Sequence, residues 1–152
     1  MKKLLLIIIP FILLMASCQK SSTDKMHYFQ VGMKIPYISL KDTSSNWRDT
    51  SFVIATSNKD LLAKINFELS KPISDRKNVI GNVVRGNGGY NQNGSHSFKW
   101  HMDENTWDLT QLSVELYDGR PYSDIDLHTS YWIDTVGRYC SWSSYIKKEI
   151  TQ

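Results

Sequence analysis

Two cysteines are all that the 152 residues contain, and the first, Cys18, stands directly behind an apolar leader. Lys2 and Lys3 give this leader a positive start, Leu4 to Met15 form its apolar middle, and Ala16 and Ser17 are small residues before the cysteine. These are the parts of a secretory signal occupying residues 1–17. Its removal leaves Cys140 alone in an oxidising compartment, so no intramolecular disulfide can form. The fold must hold by apolar burial and hydrogen bonding, which a domain of roughly 100 residues can do. Cys140 lies between Tyr139 and Trp142, a setting that predicts a buried, inert thiol; pairing with a partner chain is the alternative.

A cysteine in the first mature position makes the leader resemble a bacterial lipoprotein signal. That resemblance implies a diacylglyceryl group on the Cys18 thiol, an acylated amino terminus and an address in the cell envelope. Gln19 fits delivery to the outer membrane. Several acyl chains, at about 0.8 kcal/mol per buried methylene, would make attachment permanent. The alternative is an uncleaved anchor helix with Cys18 an ordinary thiol, although Pro10 interrupts a run shorter than the ~20 residues a span needs. Residues 18–25 then read as the lipidated cysteine and a polar tether. Residues 26–51 read as an amino-terminal extension, with His27 to Val31 expected as an edge strand and Ile35 to Leu40 as a strand interrupted by Pro36.

Charge excludes one class of partner. The 18 basic and 15 acidic residues give +3, but Lys2 and Lys3 leave with the leader, and residues 52–152 hold 11 basic against 12 acidic, a net of −1. A nearly neutral domain exerts no long-range pull on phosphate backbones, so nucleic acid is not an expected partner.

The compact domain, residues 52–152, opens with the β-rich run Phe52 to Thr56. Ser57 and Asn58 are good N-cap residues, and Leu61, Leu62, Ile65 and Leu69 recur at helical spacing until Pro72. Val79 to Val84 is a second strand, and Gly86 to Gly94 a flexible loop. Ser97 to Met102 is a third strand with Phe98, Trp100 and Met102 on one face and Lys99 and His101 on the other. Leu109 to Tyr117 is a fourth, burying Leu112, Val114 and Leu116. A helix from about Tyr122 to Val136 would bury Ile125 and Trp132 and end at Gly137, and a strand broken near Ser143 closes the chain. The expectation is an α+β fold: a mixed sheet of about five strands, order β-α-β-β-β-α-β, with two helices on one face.

Tyr90-Asn91, Ser97-Phe98, His101-Met102-Asp103 and the closing Tyr139-Cys140-Ser141-Trp142-Ser143-Ser144 resemble motifs of a family of small secreted domains, some of whose members are labelled calmodulin-binding. The similarity runs from about Phe52 to Ile150. It implies the fold and no established enzymatic activity. Members often carry a cysteine where Tyr117 stands, so any bridge from it to the closing motif is lost here, and Ser141 replaces a proline of that motif.

The chemistry-bearing residue types are sparse. His101, Asp103 and Ser143 or Ser144 could compose a nucleophilic site, but the glycine-flanked turn that usually presents such a serine is missing. Asp103, Glu104, Asn105 and Asp108 gather oxygen ligands without the glycine and distant glutamate of a calcium loop. The four histidines have no zinc spacing, and Gly86, Gly88, Gly89 and Gly94 precede no Lys-Ser/Thr. No metal or cofactor is expected. Asp124, Asp126 and Asp134 read as solvated residues, the first two facing a positive helix end. Aromatic residues in turns are the remaining clue: Tyr90, Asn91, Trp107 and Trp142, with the glycine-rich loop, form the candidate binding surface. The function expected is a lipid-anchored envelope protein that binds a protein or glycan without catalysis. The alternative is a secreted hydrolase using His101, Asp103 and a serine.

Overall fold

A computed structural model describes residues 25–34, 46–112 and 118–152. The leader, Cys18, most of the tether, the interrupted strand expected from Ile35 to Leu40 and the end of the fourth expected strand from Ser113 to Tyr117 lie outside the described residues. Among the described residues no helix is long and apolar enough to cross a membrane.

The first sheet consists of β1 (His27–Met33), β2 (Ser51–Thr56) and β9 (Ser144–Ile150), in the order β2-β1-β9. Between them in sequence come α1 (Lys59–Leu69), β3 (Asn78–Arg85), a small hairpin of β4 (Gln92–Asn93) and β5 (His96–Ser97), then β6 (Trp100–Met102), β7 (Asp108–Thr110) and β8 (Arg138–Cys140). The second sheet is built on β3, whose two ends pair with β7 and β6 and whose middle pairs with β8. Each of these pairings is antiparallel. The fold is α+β, with the strands divided among more than one sheet.

Several elements follow directly from their residues. Asn58 caps α1, its side-chain oxygen accepting from the Asp60 and Leu61 amides. Leu61 and Ile65 are buried, and Leu62 and Leu69 pack against the same core. The third expected strand keeps its alternation, burying Phe98, Trp100 and Met102, although only its ends join ladders, as β5 and β6. The expected 122–136 helix is irregular: a π turn over Pro121–Asp126, one α turn over Thr129–Tyr131 and a second π turn over Trp132–Val136. It ends where expected, at Gly137, whose φ of +70° a side chain would resist.

Three expectations need correction. β1 is the middle strand of its sheet and not an edge, because Phe29 and Val31 enter the main core and the chain end returns as β9 along the side that β2 leaves open. Leu112 is 82% exposed, since the described part of the fourth strand, β7, stops at Thr110. Cys140 is a free, half-buried thiol, with its sulfur 3.8 Å from the Leu112 carbonyl.

The core joins the two sheets through aromatic rings. Phe52 of β2 lies 5.1 Å from the Trp100 ring of β6 and 5.4 Å from the Tyr139 ring of β8. Each such pair adds about 0.5–1.5 kcal/mol beyond its area burial. Hydrogen bonds complete the junction. The outer edge of β2 is unpaired by any described strand, yet its groups are satisfied: Asn91 accepts from the Val53 amide at 2.9 Å, and the Trp107 indole donates to the Ala55 carbonyl at 2.6 Å. The other end of the Asn91 amide donates to the Trp100 carbonyl at 2.8 Å, so one side chain spans from β2 to β6. Trp107 also fills the space beside Gly81, where any Cβ would collide with it.

A second knot secures the end of α1. Buried Glu68 accepts from the Lys71 ammonium and the Lys77 amide, each at 2.8 Å. Arg76 donates to the Leu69 and Lys71 carbonyls behind the helix and to the Ile146 and Lys147 carbonyls of β9. Carbonyls that the helix leaves unpaired are thereby used to attach it to the first sheet. Burial pushes the Glu68 carboxyl up, but the Lys71 and Lys77 hydrogen bonds and charges outweigh it and hold the group below its usual range.

Two outcomes are expected. Asn91→Ala leaves a buried amide and a buried carbonyl without partners, lowering stability by about 2–4 kcal/mol in urea unfolding, while exposed Asn105→Ala stays within about 0.5 kcal/mol. Equal effects would contradict the bridge. Since the folded Glu68 carboxyl titrates below the unfolded one, its stabilisation is present above about pH 4 and lost as the pH falls through the folded value. Unfolding free energy of the wild type should therefore drop with acid in that window, with a shallower slope in Glu68→Gln; identical slopes would contradict this assignment.

Candidate functional site

The residues expected to form a binding surface lie mostly inside. Tyr90 and Trp107 are 5% and 3% exposed and Asn91 is fully buried, so these three are the seam between the sheets and cannot present a contact surface. Trp142 is half-buried, and its indole nitrogen is enclosed with no hydrogen-bond partner among the described residues. The Gly86 to Gly94 loop is anchored at Tyr90 and Asn91, and Asn93 pins the hairpin by donating to the Trp47 carbonyl. Asn91 and Trp107 are drawn inward because the open edge of β2 uses their polar groups.

The hydrolase set does not assemble either. His101 donates from Nδ1 to the Gly86 carbonyl at 2.6 Å, and its Nε2 faces Glu104 at 3.8 Å. Glu104 also accepts from the Tyr90 hydroxyl at 2.8 Å; burial and that carboxylate push the Tyr90 hydroxyl well above its usual range. Asp103 accepts from the Asn105 amide, an Asx turn. Ser144 accepts from the Val79 amide and donates to the Ser141 carbonyl, and Ser143 contacts the Ser141 hydroxyl. His101 pairs with Val84, five residues along β3 from Val79, which places it about 16 Å from Ser144 at ~3.3 Å per residue. The serines of the closing motif serve the backbone.

The oxygen ligands between β6 and β7 are likewise engaged separately, with both Asp108 oxygens on the Lys64 ammonium. Among the described residues no group of three or more His, Cys, Asp or Glu is placed to hold a metal.

What the structure does form is an open groove of about 510 Å³, lined by residues 127–131 with Arg85, Lys99 and Asp126. Most of its lining is the stretch between the two π turns, the first closed by the Leu127 amide on Tyr122 and the second by the Gly137 amide on Trp132. Such turns are rare in proteins and are frequent at functional positions. Distant carboxylates hold this backbone. Asp49, buried two residues after Trp47, accepts from the Tyr122 and Ser123 amides at 2.8 Å each and so caps the Pro121–Asp126 turn from another part of the chain. Asp126, expected to be solvated, is 2% exposed: it accepts from the Lys99 amide at 2.6 Å and lies 3.1 Å from the His96 Nε2. The reason is that the π turn directs it inward, against the link between β5 and β6 that carries Lys99.

The rim is chemically mixed. Arg85 forms a two-oxygen ion pair with Asp134 and donates to the Ser130 hydroxyl at 3.3 Å. Lys99 is exposed, and among the described residues its ammonium has no ion-pair partner. Leu127 and Tyr131 present apolar surface beside these cations, being 53% and 44% exposed. Sequence reading misses this groove because its members are spaced across Arg85 to Tyr131 with no motif. The signal available is Arg120-Pro121 opening a helical stretch whose N-cap side chain makes no capping bond.

The family model described as the BP-74 N-terminal domain matches residues 35–152, a span that contains every element from β2 to β9, the seam and the groove. No curated protein and no solved structure matches the chain. With most of its length inside that match, the chain belongs to the BP-74 N-terminal domain family.

Proposed function

We propose that this chain is a lipid-anchored protein of the cell envelope, held through Cys18 in what the leader and Gln19 suggest is the outer membrane, and that its domain binds a protein or glycan partner without catalysis. The anchoring half of this reading is supported by the leader itself: two lysines, an apolar run, small residues and then Cys18. The binding half is carried by one observation, the open groove whose rim holds exposed Tyr131 and a Lys99 ammonium with no ion-pair partner among the described residues. A concave site with apolar faces and a few convergent polar groups is the usual form of a ligand site. The separation of His101 from Ser144 favours binding over hydrolysis.

One experiment addresses both halves. The full chain is expressed with a photoreactive residue at His128 on the groove or at Asp60 on α1, each with and without Cys18→Ser, and cells are irradiated before fractionation. The expected result is a membrane-associated adduct from position 128 only, lost from the membrane fraction on Cys18→Ser. Equal adducts from both positions would overturn the groove assignment, and membrane association unaffected by Cys18→Ser would overturn the anchor.

A further inference from the structure

Resting on the anchor reading above, we propose that the lipid surface meets one end of the first sheet, the end carrying His27, Thr56 and Ile150, and that the opposite end points away from the membrane. The start of β1 is fixed in place. His27 pairs with Thr56 and Tyr28 with Ile150, the His27 ring lies 2.8 Å from a Glu149 oxygen, and Met26 packs on Val53, Ala55 and Tyr90. Seven peptide units separate Lys25 from Cys18. At no more than ~3.6 Å each, they reach about 25 Å.

The far end of the sheet stands about 20 Å away, because β1 runs from His27 to Met33 at ~3.4 Å per residue. Ser51 and Ser144 lie there, opposite Gly32 and Met33. Two contacts tie other elements to this end. Asp49, just before β2, accepts from the Tyr122 and Ser123 amides at 2.8 Å each, which sets the Pro121–Asp126 turn there. The Lys34 ammonium, next after β1, donates to the Arg76 carbonyl at 2.8 Å and the Ser74 carbonyl at 3.4 Å, which sets the Ile73–Asp75 turn there too.

Exposed apolar side chains are the usual means of entering lipid, and Trp47 and Ile73, 47% and 48% exposed, both belong to the far end. For them to meet the bilayer the domain must invert. The link to Cys18 would then have to run fully extended along a sheet nearly as long as its whole reach. The near end offers Lys25, Glu149, Thr151 and Gln152, all exposed and polar, with both signs of charge. Such a surface suits a headgroup layer, since burying its charges in hydrocarbon would be costly.

The test uses the full chain isolated with its lipid from bacterial membranes, with one fluorescent residue replacing exposed Thr151 or exposed Ser74. Each version is reconstituted in phosphatidylcholine vesicles with or without a spin-labelled headgroup, and thermal unfolding confirms that both are folded. Quenching at position 151 is expected to exceed that at position 74 by about threefold or more, given the ~20 Å difference in height. Equal quenching, as from a domain lying on its side, or stronger quenching at position 74 would overturn the orientation. Flotation distinguishes this from the anchor. A chain that floats with the vesicles but quenches equally loses the orientation alone. A chain that does not float, or that floats as well after Cys18→Ser, removes the anchor and this proposal with it.

Discussion

A buried amide side chain bridges the two sheets of this domain. Asn91 takes the Val53 amide of β2 on its oxygen and gives its nitrogen to the Trp100 carbonyl of β6, doing for an unpaired edge what another strand would do. Trp107 completes the edge from its indole to Ala55. An open strand edge is a liability for association with other chains, and covering it with side chains removes the template. With Cys140 a free thiol, this seam and the Phe52, Trp100 and Tyr139 rings are what align the sheets.

The seam also determines which side chains stay accessible. By drawing Tyr90, Asn91 and Trp107 inward, it leaves the accessible chemistry on the other side of β6, around Lys99 and the irregular stretch after Pro121. Asp49 and Asp126 serve that region in the same manner as Asn91 serves the edge. Each is a buried acceptor that satisfies backbone amides of a distant segment, at Tyr122 and Ser123 in one case and at Lys99 in the other. The groove backbone is therefore held from outside itself.

Local patterns are readable where local physics decides them. Asn58 at the start of α1, the alternation through Phe98, Trp100 and Met102, and Gly137 after the last helical turn all stand where residue chemistry alone places them. Tyr90-Asn91 and residues 139–144, which carry the resemblance to a domain family, lie inside the family match. What cannot be read are pairings across long separations. Nothing near His27 marks it for a middle strand; that depends on β9, more than a hundred residues later. The cap that Asp49 supplies depends on Tyr122 lying against it, and Trp107 looks like display until Ala55 is known to need a donor. Buried polar residues are chosen by distant partners, so the burial of Asn91 and Asp126 is not written in their own neighbourhoods.

The most direct test of this account is amide hydrogen exchange at Val53, compared with its strand neighbour Ile54. Ile54 faces Phe29 of β1 in the ladder, whereas Val53 depends on the Asn91 side chain. If Asn91 closes the edge, the Val53 amide exchanges only through global unfolding and is as slow as Ile54. Rapid exchange at Val53, with Ile54 still protected, would mean that β2 is an open edge and that the two sheets are not joined as described.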